Sequence, residues 1–292
     1  MVYLLTVNYN SANLIAKLID SLPDRKKNFD RIVIVNNSPE DNKIKNLKKD
    51  YIEIIEAGQN LGFGKACNLG LNWIYDRAPN GIVWIINPDT YLVENTLEQI
   101  RYFCEKHPEI SILGTLIYNS DNELWFGGGR FIPALGEIIA TDLLTTSVNS
   151  NYLLCDWVSG CSLIINLSQF KACPQFDRNY FLYYEDFDFC RRYLNQGHKI
   201  AISDRLKIYH QPSSITNRNL KNKFKHSTYS YLFTLARYSN PIVFTLRFLR
   251  LWLNALILLL VKPQVGLGKL TGIAIFLRLK ILQSNNAIDK QN

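Results

Sequence analysis

The stretch Tyr183-Tyr184-Glu185-Asp186-Phe187-Asp188-Phe189-Cys190-Arg191-Arg192 packs three carboxylates into four residues and rings them with aromatic side chains. Apolar walls raise a carboxyl pKa, which suits a proton acceptor. The run also reads as the first turn of a helix, where negative charge is favoured. Far upstream, Asn87-Pro88-Asp89 follows directly on the apolar run Ile82–Ile86. An acid leaving a buried strand, set against an acid at a helix start, points to a metal site facing a base.

The elements that must position these groups alternate. Residues 2–7, 31–35, 51–55 and 82–86 read as strands, and residues 13–22, 64–75 and 94–106 as helices, the first opened by Ser11 and closed at Pro23. Such alternation predicts an α/β fold with a mostly parallel sheet flanked by helices. Ligands then sit at the carboxyl ends of strands, where Asn8, Asn36 and Asp89 fall. Past Ile110 the pattern changes. Gly127-Gly128-Gly129 and Pro133 punctuate a loop-rich stretch to about Ser150. Residues 161–165 form a strand-like run, residues 185–196 a helix ended by Gly197, and residues 199–202 and 206–209 two short strands.

Composition sets the outer bounds. The 292 residues are 47% hydrophobic, enough for a real core in one large domain or two small ones. The six cysteines are scattered without a Cys-x-x-Cys pair, which disfavours a zinc site and a disulfide framework. The N-terminus lacks the basic flank of a signal peptide and reads as a first strand. The net charge of +8 is uneven: residues 205–292 hold 14 Lys and Arg against one acid, while residues 1–204 hold 19 against 24. Within that basic region, residues 241–261 are strongly apolar, with Arg247, Arg250 and Asn254 spaced to share one helical face. The spacing favours an amphipathic helix lying in a membrane surface, its arginine face toward headgroups and Trp252 near the boundary, followed by a second apolar segment at residues 267–282; a buried helix pair packed on the main domain or on a partner subunit, and a spanning helix, are the alternatives. Long aliphatic runs between the basic residues suit lipid better than nucleic acid.

The motifs together resemble those of family-2 glycosyltransferases with the GT-A (Rossmann-like) fold, particularly the bacterial rhamnosyl- and galactofuranosyl-type members. The matching pieces are Val7-Asn8-Tyr9-Asn10-Ser11, Ile34-Val35-Asn36-Asn37-Ser38, Asn60-Leu61-Gly62-Phe63-Gly64-Lys65-Ala66-Cys67-Asn68, Asn87-Pro88-Asp89, Trp157-Val158-Ser159-Gly160, Phe176-Asp177, Tyr183 to Asp188, and His210 with nearby Ser213 and Ser214. Each piece is weak alone; their order is specific, and they cover residues 1–214. That span reads as the transferase domain, and residues 215–292 as a basic, apolar helical extension that associates with membrane.

The resemblance implies an inverting transfer from a nucleotide-sugar, a dTDP- or UDP-sugar, to a lipid-linked glycan acceptor at the cytoplasmic face of a membrane, in cell-surface polysaccharide synthesis. Asp186 is then the base, with Glu185 as fallback, and Asp188 pairs with Arg191 or Arg192 one turn on. Asp89 and His210 would hold Mg²⁺ or Mn²⁺, which take oxygen ligands and substrate phosphates. Val7, Tyr9, Asn36, Asn60, Gly62, Asn68 and Asn87 fall to the nucleotide-sugar, the glycines of residues 60–68 letting backbone approach the ligand. Trp157 and Asp156 line the acceptor side, although Trp157 reads equally well as a core residue. One departure stands out: many members have Asp at the position of Asn36, where it contacts the base, and Asn keeps hydrogen bonding but loses the charge. A peripheral enzyme, open to homodimerisation, is the leading reading. The alternatives are a non-catalytic scaffold and a sugar-nucleotide nucleotidyltransferase, the latter disfavoured because residues 1–25 contain no glycine.

Overall fold

The computed structural model describes residues 1–22, 31–92, 96–140, 143, 152–211 and 219–288, with side chains through residue 282. Pro23, Glu94, Ser213 and Ser214 lie outside the described residues. The chain divides into two compact units: Met1–Phe131 with Ile138–Phe181 and Glu185–Ile215, and Ile132–Glu137 with Leu182–Tyr184 and the chain from Thr216 on.

The first unit is built on one large sheet. Its first half is β1 (Val2–Asn8), α1 (Ala12–Asp20), β2 (Arg31–Asn36), β3 (Ile52–Glu56), α2 (Phe63–Tyr75), β4 (Ile82–Ile86), β5 (Thr90–Leu92) and α3 (Thr96–Lys106). Then come β6 (Ile110–Tyr118), β7 (Leu124–Phe126), β8 (Gly129–Ile132), β9 (Glu137–Ala140), β10 (Tyr152–Leu154), β11 (Ser162–Asn166), α4 (Glu185–Leu194) and β12 (Lys199–His210). Strand order is β10-β12-β6-β11-β4-β1-β2-β3, with β5 on β12 and β7 on β6. The run β4-β1-β2-β3 is parallel throughout, as the strand–helix alternation predicts. All seven residues of β1 are buried, because helices cover both faces of a parallel sheet. Gly70 lets α2 lie close to that sheet: a Cβ there would stand 2.2 Å from Leu5 Cδ1.

Three features differ from the sequence reading. Residues 110–118 form the long buried strand β6, where the change of pattern had hidden a strand. The stretch read as loop contains β8 and β9, which pair as a separate two-stranded sheet. Residues 199–202 and 206–209 are one strand, β12, whose pairing with β6 slips between Ser203 and Lys207. The irregularity breaks the alternation, so one bent strand reads as two.

The second unit contains α5 (Leu220–Tyr238), α6 (Pro241–Val261) and α7 (Pro263–Ile288). Asn219 and Asn240 cap α5 and α6, accepting from the backbone N–H of Asn222 and Val243, and Pro241 fits the first turn of α6. α5 carries a weaker apolar pattern and was not read from sequence. Gly268 and Gly272 bring α7 against α5, where a Cβ on either would stand 2.5 Å from the carbonyl oxygen of Lys221 or Lys225. A small core of Tyr229, Leu232, Ala255, Ile273 and Phe276 results. α6 is the one helix among the described residues long and apolar enough to cross a membrane, and only 6% of its most apolar window is buried. Its polar face is not free for headgroups as expected: Arg247 donates to Leu135 O at 2.9 Å and pairs with Glu137 at 2.8 Å, while Asn254 accepts from Lys269 at 2.6 Å. Arg250 stays exposed.

Candidate active site

The carboxyl ends of β1, β2 and β3 carry a network of side-chain amides. Asn8, fully buried, donates from Nδ2 to Asn36 Oδ1 at 2.9 Å and to Asp41 Oδ2 at 3.2 Å, while its Oδ1 accepts from Ser11 N and Ser11 Oγ, both at 3.0 Å. Asn36 Nδ2 donates to Glu56 Oε2 at 2.7 Å, and its Oδ1 also accepts from Ser38 N. Asn37 ties this corner to the loop before α2: its Oδ1 accepts from Leu61 N at 2.8 Å, and its Nδ2 donates to Asn60 Oδ1 at 3.0 Å. Asn60 Oδ1 also accepts from Gly62 N. Where the resemblance led us to expect an acidic group, the strand end thus holds an amide that is itself held by an exposed carboxylate, Glu56.

Gly62 must be glycine for two reasons: its φ is +83°, and a Cβ would stand 2.1 Å from Phe181 O. The close approach it permits is therefore to the chain's own backbone. Asn68 is likewise engaged internally. Its Oδ1 accepts from Phe176 N at 2.7 Å and its Nδ2 donates to Phe176 O at 2.9 Å, so this buried amide clamps the segment leading to α4. Val7 is 6% exposed and belongs to the core, whereas Tyr9 is 43% exposed just beyond β1. Asn87 is half-buried, with its N–H donated to Cys161 O.

At the end of β4 the chain turns through Asn87-Pro88-Asp89, with Thr90 Oγ1 donating to Asn87 O at 2.7 Å. β5 then pairs with the end of β12, matching Thr90 with His210. That register sets His210 Nε2 3.2 Å from Asp89 Oδ1, both side chains about 95% buried. His210 Nδ1 is buried without a hydrogen-bond partner. Among the described residues no three or more His, Cys, Asp or Glu side chains are arranged so that they could hold a metal ion on their own.

The acidic run opens α4 as expected. Tyr183 and Tyr184 enter it with φ of +70° and +64°, a conformation that costs free energy for non-glycine residues and concentrates at functional sites. Asp188 is fully buried and accepts from Arg192 Nε at 2.7 Å, the one-turn pairing anticipated from sequence. Asp186 accepts from Phe187 N at Oδ1 and from Gly160 N at Oδ2, both at 2.8 Å. Burial still holds its carboxyl above the ordinary range, against those hydrogen bonds. Glu185 is 5% exposed, and its Oε2 is buried without a partner. Burial, aided by the neighbouring Asp186 charge, pushes its carboxyl up to about 8.

The two acidic elements meet at the loop before β11. Gly160 donates to Asp186, and Cys161, one residue on, accepts from Asn87. Asp89 and Asp186 both act electrostatically on the buried Cys161 thiol, adding to the desolvation that raises its pKa. The carboxylates therefore flank one short piece of backbone. Asp156 and Trp157, expected on the acceptor side, are engaged in packing. Asp156 Oδ2 accepts from Phe131 N at 2.8 Å and Oδ1 lies 3.4 Å from Arg191. Trp157 packs between a tilted Phe126 and an edge-on Phe187, with Gly129 so close that a Cβ would stand 2.0 Å from its Nε1. Asp41, Glu56 and Trp125 carry no motif in the sequence; their places depend on contacts between elements far apart in the chain. A groove of about 640 Å³ between α3 and β12, lined by Tyr102, Lys106, His107 and Arg205 among others, holds none of these residues.

Residues 3–158 match the description of Glycosyl transferase family 2. The chain belongs to that family. It is a glycosyltransferase. It is 26% identical over 206 residues to the rhamnosyltransferase WbbL of Escherichia coli, covering 66% of this chain and 76% of that protein. It is 24% identical over 193 residues to the low-salt glycan biosynthesis hexosyltransferase Agl10 of Haloferax volcanii, covering 65% of this chain and 60% of that protein. The crystal structure of GalNAc-T7 with UDP, GalNAc and Mn²⁺ superposes with a TM-score of 0.58 at 11% identity, covering 81% of this chain and 47% of that one. This likeness shows the fold, a GT-A sheet flanked by helices.

Proposed function

We propose that this glycosyltransferase makes an inverting, metal-dependent transfer from a nucleotide-sugar to a lipid-linked glycan acceptor in cell-surface polysaccharide synthesis. The observation that carries the reading is the pair of adjacent residues Gly160 and Cys161, the first donating its N–H to Asp186 and the second accepting at its carbonyl from Asn87 of the Asn87–Asp89 turn. It fits a base on one side of the reacting sugar and a diphosphate site on the other. The Asn8–Asn36–Asn37 network at the ends of β1 and β2 fits the nucleotide, the usual ligand position in such sheets.

Asp186 takes the proton of the acceptor hydroxyl as that oxygen attacks the anomeric carbon and the nucleoside diphosphate departs, inverting the centre. Hydrogen bonds from Gly160 and Phe187 fix the carboxylate, and its raised pKa makes it a better proton acceptor. Asp89 and His210 offer an oxygen and a nitrogen donor side by side, and the partnerless His210 Nδ1 leaves coordinating capacity unused. Such a pair fits Mg²⁺ or Mn²⁺, whose remaining ligands are water and substrate phosphates. When bound, the ion neutralises charge on the departing diphosphate. The WbbL and Agl10 names support sugar transfer in glycan assembly, and the GalNAc-T7 structure contains UDP and Mn²⁺.

The experiment is nucleoside-diphosphate release from UDP- and dTDP-hexoses with Mn²⁺ and with a chelator. Release from at least one donor with Mn²⁺ alone is expected. Metal-dependent release from none would favour the scaffold reading.

A peripheral position at the cytoplasmic membrane face is the part of this reading that the second unit supports. Residues 219–288 contain no Asp or Glu, and α6 exposes Leu246, Leu253, Ile257 and Leu260 at 54–88%. Apolar surface of that extent beside basic residues fits an anionic bilayer. Sedimentation with phosphatidylglycerol vesicles should be lost when Leu253 and Ile257 are both changed to Asp; retained binding would refute it.

A further inference from the structure

Trp125 is the one exposed large apolar side chain in β6, β7 and β8. Its backbone setting is irregular. Ile117 pairs with Phe126 and Tyr118 with Leu124, so the register slips by one residue and leaves Trp125 as the extra residue of a bulge. Bulges interrupt the ladder to re-aim a side chain and concentrate beside active sites. Phe126, next along, is 3% exposed, while Trp125 is 45% exposed. The indole does not hang free. Its ring centroid lies 5.1 Å from that of His210, and His210 Nε2 is 3.2 Å from Asp89. Behind it, Phe126 contacts Trp157 at 5.0 Å and Trp157 contacts Phe187, the neighbour of Asp186 in α4. A half-open indole is thus backed by a continuous aromatic layer that runs from the Asp89–His210 pair to the residue after the base.

Strand order decides which side of the reaction it serves. Asp89 leaves β4; β1, β2 and β3 lie to one side of β4, and β11 and β6, which carries β7, to the other. With the nucleotide at the ends of β1 to β3, Trp125 stands across Asp89 from it. A flat indole matches the C–H face of a saturated sugar ring, an apolar surface rimmed by hydroxyls, and aromatic pocket walls with a few polar groups suit such an amphipathic ligand. A lipid chain would need further exposed apolar side chains in these strands, and none is present among the described residues.

We infer that Trp125 is the stacking platform for the pyranose ring of the acceptor glycan. The inference rests on the assignment of Asp89 and His210 to the diphosphate site.

The test is ligand-observed saturation-transfer NMR with the methyl glycosides of glucose, galactose, mannose and N-acetylglucosamine. The full chain should pass saturation to the ring C–H protons of at least one of them. Trp125→Ala and Trp125→Leu should each weaken that transfer about fivefold, and Trp125→Phe should keep most of it, since ring stacking contributes roughly 0.5–1.5 kcal/mol beyond area. Leu preserves apolar bulk without the ring, so equal transfer in Trp125→Leu and the wild type overturns the inference, as does absence of transfer to the wild type. A parallel thermal-shift arm with UDP or dTDP and Mn²⁺ separates the two readings. Stabilisation by nucleotide should be the same in all variants. No nucleotide stabilisation of the wild type counts against the donor-site assignment; stabilisation lost only in Trp125→Leu moves this side chain to the donor and overturns the inference.

Discussion

The ends of β1 to β3 and the start of α4 handle polar groups in opposite ways. At the strand ends Asn8, Asn36 and Asn37 are each bonded at both amide atoms by the protein itself. That corner is a finished frame. At the start of α4, Glu185 Oε2 is buried without a partner, two tyrosines hold positive φ, and across the site His210 Nδ1 is also unpaired. Buried polar groups left unsatisfied cost free energy, and a fold keeps them where a ligand or a reaction uses them. The amide corner is therefore internally satisfied, and the carboxylate side holds the polar capacity that the proposed chemistry would use.

The sharpest way to break this contrast is Asp186→Asn. The side chain keeps its size but cannot accept the proton, so kcat should fall by about 10²–10⁴ while nucleotide affinity and melting temperature stay near wild type. Unchanged turnover would remove Asp186 from the role of base. Asn8→Ala should do the reverse. It strips partners from Ser11, Asn36 and Asp41 and should cost about 1–3 kcal/mol in chemical denaturation, with the donor KM rising more than kcat falls. A variant as stable as the wild type would mean the frame is not structural.

The smallest effect concerns pH. Glu185 titrates at about 8 in the folded chain against 4.5 ordinarily, so between those values the native state holds a proton that the unfolded state has released. Stability must fall as pH rises through that window. Glu185→Gln removes this slope, so its melting temperature should exceed that of wild type by a margin that grows from pH 5 to pH 8. A margin constant with pH would show that burial does not hold the proton there.

Much of this was legible in the chain. The parallel half of the sheet follows from apolar runs alternating with helical patterns, and its strands match within a residue or two. That Asp188 pairs with an arginine one turn on follows from helix spacing; the fold decided for Arg192 by drawing Arg191 to Asp156. The amide roles were harder to read. Asn68 looks like a ligand-facing group at a helix start, yet it bonds the backbone of Phe176, more than a hundred residues on in sequence. Asp156 similarly sits beside a motif but serves Phe131 and Arg191. Arg247 lies on the polar face predicted for α6 but turns to Leu135 and Glu137.

The order and chemistry of the motifs, from Asn8 to His210, determined the family and named the candidate reactive groups, because local patterns of apolar residues, glycines and acids are written in consecutive positions. The tertiary structure alone decided which of those groups stay unspent. Whether a carboxylate or amide is free depends on partners supplied by distant strands, and a one-residue slip such as that beside Trp125 sends a side chain to a different face without changing a letter of its local pattern.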